Sequence, residues 1–360
     1  MKKRLRSADT AKALLDAIFE QSQGLERVRF MEVCGTHTMA IRRSGIPDML
    51  PENVELLSGP GCPVCVTPNA TVDRAIALAG LDELIVATFG DMMRVPGSRT
   101  SLAAERARGA DVRVVYSPLD ALKMARAEPK RQLVFLGVGF ETTTPTVAAV
   151  IRMAQEESLE NFSVLASNKV VPPALDALLS MPDFSVSGFL MPGHVSAIIG
   201  ADAYRPVAEQ HGIPCVVAGF EPVDVLLSIL MLLKQIRSGQ AKVEIEYLTV
   251  VRPEGNRAAQ DLVEQVFKPC DSDWRGVGII PGSGLGLRDA YAAFDAEKRF
   301  DLQVPPPKEH PGCRCGEVLI GAIRPPDCAL FGKACTPSDP VGPCMVSSEG
   351  TCAAYYKYVI

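Results

Sequence analysis

Short apolar runs recur along most of the chain, and segments with helical spacing separate them. The runs lie at residues 28–33, 54–57, 83–88, 112–116, 133–138, 163–166, 187–191 and 215–218. Most are unbroken and β-branched, the pattern of strands covered on both faces. Between them, 71–78, 119–126, 146–156, 174–179 and 223–237 carry apolar residues at helical intervals. Strand and helix in alternation predict parallel sheets with right-handed crossovers. A (βα)₈ barrel usually needs about 250 residues, more than the stretch from 28 to 238 holds. Two similar parallel-sheet α/β domains of four strands each are therefore expected, at 26–128 and 129–238. The charged segment around Pro129 would join them.

From residue 241 the texture changes. Residues 242–250 (KVEIEYLTV) alternate polar and apolar positions, which predicts a strand with one wet face. A helix is expected at 257–267, followed by Trp274 and a glycine-rich stretch at 281–286. Pro305, Pro306 and Pro307 precede a cysteine-rich tail. Residues 239–360, with residues 1–25, are assigned to a third, C-terminal cysteine-rich domain.

Composition narrows the class. Over 360 residues the chain is 47% hydrophobic and 22% charged, with a formal charge of −5. That balance supports sizeable cores and excludes a disordered or collagen-like chain. A nucleic-acid binder would be basic or carry aromatic stacking platforms, and aromatic residues make up only 6%. Asp9, Lys12 and Asp16 interrupt any signal-peptide core, and the longest apolar stretch, 223–233, is too short to span a bilayer. A cytoplasmic location is expected. There, 11 cysteines read as metal or redox chemistry rather than as a disulfide framework.

The candidate chemistry sits where the predicted strands end, the place where open α/β sheets bind ligands. Cys34-Gly35-Thr36-His37 puts a thiol and an imidazole past a flexible glycine, as a soft metal site or a nucleophile with its base. The bland reading is a buried cysteine and an unrelated loop histidine. Cys62 and Cys65 form a C-x-x-C pair stiffened by Pro60 and Pro63. It suits a reversible disulfide, or half of a zinc site completed by Cys34 and His37. In the tail, Cys313, Cys328, Cys335 and Cys352 are separated by fourteen, six and sixteen residues among many glycines and prolines. Four thiolates hold either a [4Fe–4S] cube or zinc. Cys315 and Cys344 lie among them, and spacing alone does not choose the four. Residues 281–286 read as an anion nest or as a tight turn packed near the tail. His194 is either functional or a satisfied loop histidine. Cys215 reads as core, and Cys270 carries no motif.

Taken together, these motifs resemble the HypD family of [NiFe]-hydrogenase maturation factors. The resemblance rests on Cys34-Gly35-Thr36-His37, the GPGCPVCVTP run at 59–68, Gly139-Phe140-Glu141-Thr142-Thr143, the tail cysteine spacing and the closing PVGPCMVSSEGTCAAYYKY. Where the family often carries a second histidine after the first motif, this chain has Met39. The resemblance implies a scaffold with redox activity rather than a conventional turnover enzyme. It implies a HypC-type partner, cyanide from HypE with HypF upstream, and delivery of a Fe(CN)₂CO unit to the hydrogenase large subunit. Cys34 would be the iron ligand, Cys62 and Cys65 the redox pair, and Cys313, Cys328, Cys335 and Cys352 the [4Fe–4S] ligands. His37 and Glu141 would position ligands or move protons. The competing readings are a free-standing iron–sulfur oxidoreductase and a structural zinc protein.

Overall fold

A computed structural model describes residues 8–359. Each of the eight apolar runs forms a strand within a few residues of its expected bounds. They are β1 (Val28–Glu32), β2 (Val54–Ser58), β3 (Leu84–Thr88), β4 (Val112–Val114), β5 (Gln132–Gly139), β6 (Phe162–Asn168), β7 (Gly188–Pro192) and β8 (Cys215–Ala218). Strands β3, β7 and β8 are buried along their whole length, as unbroken apolar runs require. Three more strands follow: β9 (Val243–Ile245), β10 (Phe267–Trp274) and β11 (Gly278–Leu287).

Two parallel α/β sheets are present, but they cut across the expected division at residues 128 and 129. One sheet has the order β2-β1-β7-β8-β9 and the other β4-β3-β5-β6. The chain opens the first sheet, leaves it to build the whole of the second, and returns with β7. The return is possible because β7 starts at a glycine. A Cβ at Gly188 would lie 3.2 Å from the Phe30 ring and 3.1 Å from Leu232. Hydrogen with no side chain lets β7 pair with β1, Phe30 opposite Gly188.

Other segments assigned to a third domain also pack elsewhere. The alternating run at 242–250 supplies β9, a parallel edge strand of the first sheet. The N-terminal helix Ala8–Ser22 lies on the helix Pro222–Ser238 and buries Ile18 in that core. The helix Arg257–Val266 packs on the helix Thr144–Glu156. The glycine-rich stretch forms no isolated turn near the tail. It is part of β11, which pairs antiparallel with β10 and docks on β6. There Trp274 donates to Ser283 Oγ at 2.8 Å, and Val170 N–H donates to the Ser283 carbonyl at 2.9 Å. Lys169, buried beneath the hairpin, donates to Ser272 Oγ and the Asp273 carbonyl, each at 2.6 Å.

The cysteine-rich tail is held against this frame by Arg275. Its buried guanidinium donates to the Thr67 carbonyl, to Asn69 Oδ1 at 2.5 Å and to Glu309 Oε1 at 2.5 Å. One side chain thus joins the loop after Cys62 and Cys65, the hairpin and the entry to the tail. Truncation leaves buried acceptors without donors. Arg275→Ala is expected to cost about 2–4 kcal/mol of stability, read as a lowered urea midpoint.

Candidate functional site

Cys34 is the extended residue that caps the helix Gly35–Arg43. The loop after β2 fixes it. Gly35 N–H donates to the Gly61 carbonyl at 3.0 Å, and a Cβ at Gly61 would fall 2.1 Å from Cys34 N. No side chain is possible there without moving the Cys34 backbone. Burial pushes the Cys34 thiol up to about 12. The N–H groups of His37 and Thr36 act the other way and favour a thiolate. The sulfur is therefore a protonated thiol at neutral pH, with donors already turned to the anion.

His37 is fully buried. Its Nε2 lies 2.9 Å from the Gly219 carbonyl. A carbonyl only accepts, so Nε2 carries the hydrogen and Nδ1 keeps a bare lone pair. Nδ1 has no partner among the described residues. Burial lowers the His37 pKa to about 4, so the ring is neutral. Gly219 is held in turn by Glu246, whose Oε2 accepts from its N–H at 2.9 Å. Phe220 stacks on both His37, at 4.6 Å, and His194, at 4.0 Å. A second imidazole thus reaches this cleft from the first turn of the helix Gly193–Ile199 that follows β7, although Met39 stands at the position expected from the first motif.

Cys62 and Cys65 cap and enter the short helix Pro63–Val66, and both are buried. Cys65 turns to the tail. Its thiol lies within electrostatic reach of Cys62, Cys344 and Cys315. Cys344 in turn contacts Cys315 and Cys352, and Cys315 contacts Cys313. Burial and neighbouring sulfurs raise the Cys65, Cys315 and Cys344 thiols well above the ordinary value. A continuous line of sulfur therefore runs from the C-x-x-C loop into the tail.

Six tail cysteines, 313, 315, 328, 335, 344 and 352, line one small cavity. Cys315 and Cys344 are 5% and 1% exposed and form the inner side that meets Cys65, whereas Cys313, Cys328 and Cys352 are only partly buried. A Cβ at Gly342 would sit 2.7 Å from Cys313 Sγ, so the wall there is bare backbone. A thiol-only donor set around a glycine-walled cavity fits a [4Fe–4S] cluster. Among the described residues, no three His, Cys, Asp or Glu side chains stand as ligands of a single metal ion.

A sequence profile named HypD, described as the hydrogenase formation hypA family, matches residues 9–359. The chain belongs to the HypD family. It is 48% identical to the hydrogenase maturation factor HypD of Azotobacter vinelandii over 360 residues, 98% of this chain and 95% of that protein. It is 46% identical to HypD of Cupriavidus necator, over 98% of this chain and 95% of that protein. Identity to HypD of Escherichia coli is 48%, over 92% of this chain and 89% of that protein.

Within this HypD-family chain, Glu141 faces a different space. Its Oε1 accepts from Val171 N–H at 2.7 Å, and it borders an apolar cavity of about 250 Å³ with Pro172, Ile198 and Val263. Burial raises its pKa to about 7. The buried Tyr204 is within electrostatic reach of both Glu141 and Cys34. Two site residues were not singled out by the sequence, although Glu349 lies within the closing run at 340–358. Glu349 reaches from the tail to accept from Thr36 Oγ1 at 2.7 Å, beside Cys34. Glu32, at the end of β1, is buried, accepts from Thr38 Oγ1 at 3.0 Å and has its pKa raised to about 8 by burial.

Glu32 gives a pH test. The folded state keeps its proton after the unfolded chain, with an ordinary value near 4.5, has lost it. Its contribution is full below about pH 4.5 and is lost as the pH rises toward 8. Glu32→Gln cannot ionise. It should match wild type near pH 5 and exceed it by on the order of 1 kcal/mol or more near pH 8. Thermal unfolding at both pH values checks this.

Proposed function

We propose that the chain is a cytoplasmic scaffold and redox protein on which the Fe(CN)₂CO unit of [NiFe] hydrogenase is assembled. The iron is the cargo, held by Cys34 together with a HypC-type partner. Cyanide comes from HypE, with HypF upstream, and the finished unit goes to the hydrogenase large subunit. The observation that carries this reading is the buried line of thiols from Cys65 through Cys344 and Cys315 to the tail cavity. That line starts from the loop whose Gly61 clamps Cys34.

The residues support distinct roles. When iron binds the Cys34 sulfur the S–H bond breaks and the proton leaves to a base or to solvent, because a buried thiol ionises readily only against a cation. The N–H groups at the helix start then hold the thiolate in place. His37, neutral and tied at Nε2, offers its Nδ1 lone pair to a proton or to the iron. A soft thiolate suits iron carrying cyanide and carbon monoxide, which favour a low-spin, electron-rich centre. Glu141, with a pKa near neutrality, is suited to proton exchange. It serves the cavity it borders rather than the sulfur directly.

Electrons reach the cargo through thiols. Oxidation of the Cys62 and Cys65 thiols to a disulfide releases two electrons and two protons. Cys313, Cys328, Cys335 and Cys352 would hold a [4Fe–4S] cluster, which supplies one-electron storage when bound. Cys315 and Cys344 connect that cavity to Cys65.

Two substitutions test the reading. Cys34→Ala should abolish the infrared bands of iron-bound cyanide and carbon monoxide in the chain co-purified with its HypC-type partner. Persistence of the bands would remove Cys34 from its role. Cys62→Ser should preserve the visible iron–sulfur absorbance of anaerobically purified protein while blocking hydrogenase maturation. Full maturation by that variant would rule out an essential dithiol.

A further inference from the structure

A groove of about 760 Å³ runs beside the tail, and its charged rim has no role in the site described above. Arg94, Arg99 and Arg108 line it from the segment after β3, and Lys308 lines it from the tail entry. All four are exposed. Glu309 and Asp339 are its only carboxylates, and Glu309 already pairs with Arg275. Arg94 donates to the Pro337 and Val346 carbonyls, which fix the side chain without neutralising it. Arg108 pairs with Glu105 at 2.7 Å. Arg99 and Lys308 have no carboxylate partner among the described residues. On a chain whose formal charge is −5, this is a local concentration of positive charge.

The groove also touches sulfur. Cys313 lines both the groove and the six-cysteine cavity. Val341, another groove residue, donates its N–H to Cys335 Sγ at 3.4 Å. Pro343 follows and leads directly into Cys344. The charged surface and the thiol line therefore share a wall.

We infer that this groove docks an acidic electron-carrier protein. The inference rests on the proposed thiol relay and names where its electrons enter. The cations are spread along an open channel and do not converge on one buried point, so they match a complementary protein face better than a small anion. Redox encounters of this kind are small, transient and steered by charge. Chemically, two reduced carriers each give up one electron. The Cys62–Cys65 disulfide accepts both, takes two protons from solvent, breaks its S–S bond and becomes two thiols.

The test uses the full chain, purified anaerobically and brought to the Cys62–Cys65 disulfide with a mild thiol oxidant, with reduced plant-type ferredoxin as the acidic probe. Wild-type protein should bind it and gain two thiols, mapped to Cys62 and Cys65, at a rate that falls steeply with added salt. The Arg99→Glu, Lys308→Glu double variant, checked as folded by circular dichroism, should lose about tenfold or more in the second-order rate at low salt. The two rates should converge at high ionic strength. Equal rates at low salt, or a wild-type rate indifferent to salt, would overturn the docking site. A neutral phosphine separates the premises. If it yields the two thiols in wild type and ferredoxin does not, docking fails alone. If phosphine yields none, the relay reading fails, and salt-sensitive ferredoxin binding lost in the double variant still decides the docking site.

Discussion

Everything at the Cys34 site depends on backbone approaching backbone where side chains are absent. Gly61 lies so close to Cys34 that any Cβ would overlap its amide. Gly35 does the same with Glu349, whose own Cβ would be 2.5 Å from a Cβ at residue 35. These two contacts bring three distant pieces of chain to one point: the end of β1, the loop after β2 and the tail. A hydrogen bond alone would tolerate some drift. Steric contact between backbones tolerates almost none, because protein interiors are close-packed. The thiols of Cys34 and of the Cys62 and Cys65 loop therefore keep a fixed relation, which assembly chemistry on a small diatomic-bearing iron requires.

Burial then sets the protonation states, and it acts in opposite directions on neighbouring groups. It keeps Cys34 protonated, His37 neutral, and Glu32 and Glu141 poised toward their acid forms. The buried Cys34 and His37 are thus uncharged, with the Glu349 carboxylate beside them. A cation entering such a space meets an unscreened field and can displace a thiol proton, while neutral His37 offers a lone pair without electrostatic repulsion. The positive groove on the far side of the sulfur line has the contrary character. It is wet and charged, as suits encounter with a partner rather than retention of a metal.

The sequence made much of this legible, for reasons that also mark its limits. Strands such as 84–88 and 215–218 announced themselves because burial on both faces leaves an unbroken apolar run. Nothing in such a run says which strand it pairs with. The pairing of β1 with β7 joins residues more than 150 positions apart, and only the bare Gly188 hints at it. The hairpin strand β11 escaped notice because glycine and proline in GIIPGSGLGL imitate a turn. The motif cysteines and His37 could be named from spacing and residue type. Cys315 and Cys344 could not be given a place, since order along a loop-rich tail carries no depth. Glu349 lay inside the closing run with nothing to single it out, and Glu32 lay in no motif; each matters through a contact made only after folding.

The tail is not an appendage to the two sheets but part of the Cys34 site. Glu349 accepts from Thr36 and lies within electrostatic reach of Cys34 and His194. Tyr355 receives a hydrogen bond from Arg42 and lies under its guanidinium at 4.0 Å, so the last helix is clamped to the helix that Cys34 caps. Between these contacts and the inner thiol Cys344 there is little chain to absorb a displacement. A change in the tail cavity, whether binding or oxidation, must then be felt at Glu349 and through it at the hydrogen-bonded side of the Cys34 sulfur. In the proposed function, electron supply and cargo binding would be coupled by packing as well as by the sulfur path, because the same short segment carries both.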